Sequence, residues 1–139
     1  MDEAIIAQKL ESLRRCIHRL KAKLAADLVS LQQDLDAQDI VSLNLTRAVQ
    51  MCVDIAAHWL AEHGDSSAPK NMGQSFQALA DTGVIDQALA ERMIKSVGFR
   101  NVMVHQYDDV NWEIVFSICH HHLGDFRAFA RVFAERMGS

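Results

Sequence analysis

Apolar residues recur every three or four positions along almost the whole chain, and this period limits the fold more than any other feature. Near the N-terminus Ile6, Leu10, Leu13, Ile17, Leu20 and Leu24 alternate steps of four and three, and Leu28, Leu31 and Leu35 carry the rhythm onward. That spacing puts a narrow seam on one face of a helix packed lengthwise against neighbours. A second helix is expected from about Ile40 to His63. It has one stripe of Val41, Leu45, Ala48, Cys52, Ile55 and Trp59, widened by Val49, Val53, Ala56 and Leu60. Apolar on so much of its circumference, it should lie at the centre of a bundle.

The stretch from Glu62 to Lys70 holds the single proline, Pro69, among turn formers, and reads as the one substantial loop. A short helix with Phe76, Leu79 and Ala80 follows, with Gly83 placed as a left-handed C-terminal residue. Asp86 is positioned to cap a helix through Leu89, Met93 and Val97, and the pattern breaks around Tyr107-Asp108-Asp109. Asn111 can cap a last helix carrying Trp112, Val115, Cys119, Phe126, Phe129 and Phe133. No strand-like alternation, repeat or low-complexity tract interrupts this series. The expected architecture is one all-α domain over residues 1–139, an up-and-down bundle of about five helices.

Composition removes several classes of function. With 139 residues, 50% of them apolar, the chain can bury a core without disulfide or metal staples. The acidic N-terminus is not read as a secretory signal, and no run approaches the roughly 18 apolar residues of a membrane span. Cys16, Cys52 and Cys119 are odd in number and lack CxxC spacing, so they are expected as reduced, packed thiols in a cytoplasmic protein. A net charge of −4 gives no global attraction to nucleic acid, although six of the fourteen Lys and Arg residues fall between Lys9 and Lys23. That basic helix is either a solvated face or a surface for RNA or a partner.

Phosphate loops, dinucleotide fingerprints, nucleophile elbows and zinc-protease motifs are missing. His120-His121-His122 does not read as a metal site, because successive helical side chains diverge by about 100°. His122 is instead expected to pack in the seam between Cys119 and Phe126. On the second helix Asn44, Arg47, Asp54 and His58 share a face, which is either a wet side or the wall of a cleft. The richest segment is Arg100-Asn101-Val102-Met103-Val104-His105-Gln106-Tyr107. It joins a planar, permanently charged donor fork suited to phosphate with an imidazole able to exchange protons near neutral pH. The two could support phosphodiester cleavage without a metal, His105 moving protons and Arg100 stabilising charge on phosphorus.

These eight residues resemble the Arg-x4-His-x-Tyr signature of the HepT-like HEPN ribonuclease toxins. Asn44-Leu45-Thr46-Arg47 leading to Val53-Asp54-Ile55-Ala56-Ala57-His58 is similar to that family's second helix, and Ser75-Phe76-Gln77-Ala78-Leu79 to its short middle helix. Val97-Gly98-Phe99 precedes the arginine in the family manner, and His121-His122-Leu123-Gly124-Asp125-Phe126 is similar to its last helix. The resemblance runs from about residue 38 to 130. It implies a dimeric bundle whose two motifs face a shared cleft, and a metal-independent endoribonuclease without cofactor that acts on tRNA or mRNA. Arg100 and His105 correspond to the catalytic pair, with Asn101 supporting. Tyr107 corresponds to the tyrosine that a cognate minimal nucleotidyltransferase antitoxin modifies with AMP in a type VII-like toxin–antitoxin pair, within a hetero-oligomer.

Arg47, Asp54 and His58 are candidates for cleft support: Asp54 either orients Arg100 or His105, or pairs with Arg47 to tie the bundle. On an ideal helix Arg100 and His105 stand about 140° apart. Either the helix distorts before His105, or the arginine reaches around, or a second subunit completes the site. The alternative function is a noncatalytic nucleotide-binding or substrate-binding partner of a nucleotidyltransferase.

Overall fold

The computed structural model describes residues 2–63 and 71–137. Within them lie seven α-helices: α1 (Asp2–Lys23), α2 (Leu28–Gln33), α3 (Leu35–His63), α4 (Met72–Asp81), α5 (Gln87–His105), α6 (Trp112–His121) and α7 (Leu123–Met137). A 3-10 turn, Tyr107–Asp109, joins α5 to α6. The expectation of an all-α bundle holds, with more helices than the five expected. The additional ends fall where the apolar rhythm conceals a corner. The expected Glu62–Lys70 loop lies mostly outside the described residues, Glu62 and His63 closing α3.

The first hidden corner follows Leu24. Asp27 caps α2, its carboxylate accepting the Ser30 amide at 2.8 Å, and Asp34 accepts the Ala37 amide at 3.0 Å to open α3. Buried Gln38 secures the corner by donating its side-chain amide to the carbonyls of Leu31 and Gln32 at the end of α2. A helix terminus leaves such carbonyls without intrahelical partners, and Gln38 supplies one. The seam therefore does not run through: Leu31 is fully buried while Leu35 is 72% exposed. α3 starts at Leu35, five residues before the expected boundary.

The second corner lies at His122, whose backbone ends α6 by donating to the Ile118 carbonyl at 2.8 Å. The turn rotates His122 outward and gives the seam position to buried Leu123. The expectation of a packed His122 is thus wrong, because it assumed one continuous helix. Elsewhere the caps stand where the sequence places them. Asp86 accepts the Leu89 amide at 2.7 Å, Asn111 accepts those of Glu113 and Ile114, and Gly83 takes φ +81. At Gly83 the amides of Gly83 and Val84 close on the carbonyls of Ala80 and Leu79, a turn that requires the left-handed backbone.

α3 is the central helix, with Val41, Leu45, Ala48, Val49, Cys52, Ile55 and Ala56 all buried. It runs antiparallel to α1, which supplies Ile6, Leu10, Leu13, Ile17 and Leu20, and it also packs on α4, α5 and α7. By length and mean hydropathy α3 could cross a membrane, a property the sequence reading did not attribute to any segment. Of its most apolar stretch, 56% is buried in the bundle. Phe76, Phe129 and Phe133 fill the far side, with ring centroids 5.6 Å apart for Phe76–Phe129 and 4.9 Å for Phe129–Phe133. Cys16, Cys52 and Cys119 are free and buried, and burial pushes the Cys119 thiol up to about 12.

Candidate functional site

The candidate site lies where the last turns of α5 cross the middle of α3. Gln106 caps α5, its amide donating to the Val102 carbonyl at 2.8 Å, so the helix runs unbroken through Arg100 and His105. Of the three ways to bring Arg100 and His105 together, helix distortion is therefore excluded. Their side chains leave the helix about 140° apart.

Arg100 is half-buried and turns back toward α3. Its Nη1 donates to Asn101 Oδ1 at 2.9 Å and its Nη2 to Gln50 Oε1 at 3.3 Å. Gln50 in turn donates to Asp54 Oδ1 at 2.9 Å, and Asp54 Oδ2 pairs with Lys9 Nζ at 3.0 Å. A polar chain thus crosses three helices: Lys9 on α1, Asp54 and Gln50 on α3, Arg100 and Asn101 on α5. The Arg100 Nε is buried and finds no hydrogen-bond partner among the described residues. Buried donors ordinarily find an acceptor, so this guanidinium retains unused capacity.

Neither role foreseen for Asp54 is realised directly. Among the described residues it forms no hydrogen bond or ion pair with Arg47 or Arg100; Gln50 links Asp54 to Arg100, and Lys9 pairs with Asp54. Gln50 and Lys9 were not singled out from the sequence. Gln50 was accessible to the same reasoning, since it lies three residues after Arg47 and four before Asp54 on their shared face. Arg47 is exposed and borders a groove between α1 and α3, Asn44 donates to the Ile40 carbonyl at 2.8 Å, and His58 lies half-buried one turn beyond Asp54.

His105, the last residue of α5, is exposed. Tyr107 lies beyond the helix end in the 3-10 turn and is 39% exposed. Its hydroxyl donates to Asp39 Oδ1 at 3.0 Å, and its ring meets Trp112 edge to face at 5.9 Å. Partial burial raises the phenol above its ordinary value; the Ser42 hydroxyl pulls it down and the Asp39 carboxylate adds to the rise. Asp39 is a third residue that sequence reasoning missed, and 68 positions separate it from Tyr107. Among the described residues, no three His, Cys, Asp or Glu side chains converge as a metal site. The rings of His120, His121 and His122 follow one another at 5.9 and 6.5 Å.

The bundle has the fold of a solved HEPN protein. The Shewanella oneidensis HEPN toxin, solved tri-AMPylated and in complex with MNT antitoxin, superposes with a TM-score of 0.87 at 37% identity, covering 94% of this chain and 97% of that one. YutE, a cytosolic protein of unknown function from Bacillus subtilis, shares the fold at a TM-score of 0.84 and 12% identity, over 99% of this chain and 91% of its own.

Residues 13–133 match the ribonuclease HepT-like family. The chain belongs to that family, the HEPN ribonuclease toxins of MntA–HepT toxin–antitoxin systems. It is 38% identical to the mRNA nuclease HepT of Shewanella oneidensis over 92% of this chain and 95% of that protein. It is 26% identical to the tRNA nuclease HepT of Aphanizomenon flos-aquae over 94% and 88%.

Proposed function

We propose that this chain is the toxin of a type VII-like toxin–antitoxin pair and a metal-independent endoribonuclease acting on mRNA or tRNA at a cleft shared by two copies. The observation that carries the proposal is the contrast between its two key side chains. Arg100 is braced from behind through Gln50, Asp54 and Lys9, while His105 stands exposed at the end of the same unbroken helix. One copy directs them apart, and a second copy facing it supplies the missing half.

In this reading the ribose 2′-hydroxyl attacks the adjacent phosphate. His105 moves a proton at the attacking or the leaving oxygen, Arg100 stabilises charge on the phosphorane oxygens, and Asn101 holds the guanidinium. The products are a 2′,3′-cyclic phosphate and a 5′-hydroxyl. DNA lacks the nucleophile and resists. Tyr107 is the acceptor of AMP from a cognate minimal nucleotidyltransferase antitoxin, with which the dimer forms a larger hetero-oligomer. The exposed edge of Tyr107 leaves its phenol open to such a partner, and the added phosphodiester would compete with RNA for Arg100.

The test is cleavage of total tRNA and a defined mRNA in EDTA by wild type and His105→Ala. Cyclic-phosphate ends from the wild type alone support the proposal. No cleavage by folded, dimeric, unmodified protein would favour a noncatalytic partner of the nucleotidyltransferase.

A further inference from the structure

The basic helix α1 does not spread its charge evenly. Arg14 pairs with Glu11 on its own helix and Lys9 pairs with Asp54 across to α3. Arg15 and Arg19 instead line the groove between α1 and α3, where Arg47 faces them from the other wall. None of these three guanidinium groups pairs with a carboxylate among the described residues; Arg15 donates only to the Ser12 hydroxyl at 3.3 Å. In a chain of net charge −4, three uncompensated arginines are thus gathered in one groove whose other polar members, Ser12 and Asn44, are neutral. Their field reaches Cys16 in the groove wall: burial raises this thiol, and Arg47 and Arg15 oppose the rise.

The groove also leads to the motif. Arg47 and Gln50 are three residues apart on α3, about 4.5 Å along the axis, and Gln50 is the residue that holds Arg100. Arg15 and Arg19 are one turn apart on α1, about 6 Å, close to the spacing of neighbouring phosphates on a single strand. A second groove, between α1 and α7, carries Arg14, Arg127 and Arg131 over a floor of Leu10, Leu13 and Ile17, and none of its lining residues belongs to α3, the helix that carries Gln50.

We propose that the α1–α3 groove, through Arg15, Arg19 and Arg47, binds the sugar-phosphate backbone of single-stranded RNA and leads it to Arg100. This inference rests on the ribonuclease reading, and it names the surface by which an acidic protein holds a polyanion. Arginine forks suit phosphate, and contacts to phosphate position a strand without reading its sequence.

The experiment measures binding of a labelled single-stranded RNA to His105→Ala protein, which leaves the RNA uncut, from low to physiological salt. The Arg15→Gln/Arg19→Gln/Arg47→Gln variant is compared with Arg127→Gln/Arg131→Gln, each with an unchanged helical spectrum. The groove variant should bind at least about tenfold more weakly, with a salt slope smaller by about two units for three lost phosphate contacts, and the α1–α7 variant should bind as before. In the wild-type background Arg15→Gln/Arg19→Gln should raise KM for long RNA and leave cleavage of a dinucleotide unchanged. Equal affinity and slope in both variants overturn the inference. So does retained RNA binding with loss of the nucleotidyltransferase from the complex, which would make the groove a protein interface. If His105→Ala protein binds RNA through the groove but wild type never cleaves it, the groove stands and the ribonuclease reading falls.

Discussion

Gln50 binds Arg100 and Asp54 with opposite ends of one amide: Oε1 accepts from the guanidinium at 3.3 Å while Nε2 donates to the carboxylate at 2.9 Å. The amide is the only neutral member between two charges, and it sets the direction of Arg100 without neutralising it. A carboxylate in direct contact would compete with an RNA phosphate for the same donors. Keeping Asp54 one residue back, paired with Lys9, leaves the guanidinium charge available.

Gln50→Ala should therefore reduce cleavage by roughly tenfold or more through kcat, since small misplacements of a catalytic group are costly. Thermal stability should change little, because Asp54 keeps Lys9. Single-turnover cleavage alongside a melting curve checks both, and Gln50→Glu, whose charge would pair with Arg100, should not restore the rate.

His105→Ala should lower the cleavage rate by about 10²–10⁴-fold, the usual worth of general acid–base help, with the melting temperature unmoved because the residue is exposed at a helix end. Arg100→Lys should also be severe, since an ammonium cannot reproduce the planar fork. A primer-extension assay on a defined mRNA measures both.

Tyr107→Phe should abolish AMP incorporation on incubation with the nucleotidyltransferase and ATP, and leave ribonuclease activity intact. The lost bond to Asp39 is partly exposed and should cost about 1 kcal/mol or less. Intact-mass spectrometry decides the point: a mass increase of one AMP on the phenylalanine variant would move the acceptor elsewhere.

Cys119 should resist thiol reagents in the folded protein at pH 8 and react on unfolding, because burial holds its thiol protonated up to about 12. A folded value raised above the unfolded one stabilises the protein fully below the unfolded value near 9. That contribution is lost as pH rises toward and through 12. Alkaline melts of Cys119→Ala against wild type should converge as pH increases.

Phe129→Ala should cost about 3–5 kcal/mol, as for other fully buried aromatic truncations. Denaturant titration measures it. A much smaller loss would show that the Phe76–Phe129–Phe133 cluster collapses around the gap.

Much of this molecule is legible along one dimension. The seam residues of α1 and α3, the Asp86 and Asn111 caps, the left-handed Gly83 and the break at Tyr107 all depend on neighbours within a turn or two, and all stand where the spacing puts them. The Arg100–Tyr107 segment is likewise contiguous, so its signature and the family it belongs to could be read directly. The corners at Asp27–Asp34 and His122 were hidden because a heptad-like rhythm continues across a turn when both helices face the same core. The bracing of Arg100 was hidden for a different reason. Lys9, Gln50 and Arg100 are separated by tens of residues, and any carboxylate on α3 satisfies the same pattern. Which of them pairs with Arg47, Lys9 or Gln50 depends on how α1, α3 and α5 rotate against one another. That rotation is chosen by the whole core, where Leu13, Leu20, Cys52, Ile55 and Met93 must be buried together. Local periodicity says which face turns inward; only close packing of all the helices decides which polar side chains meet at its edge.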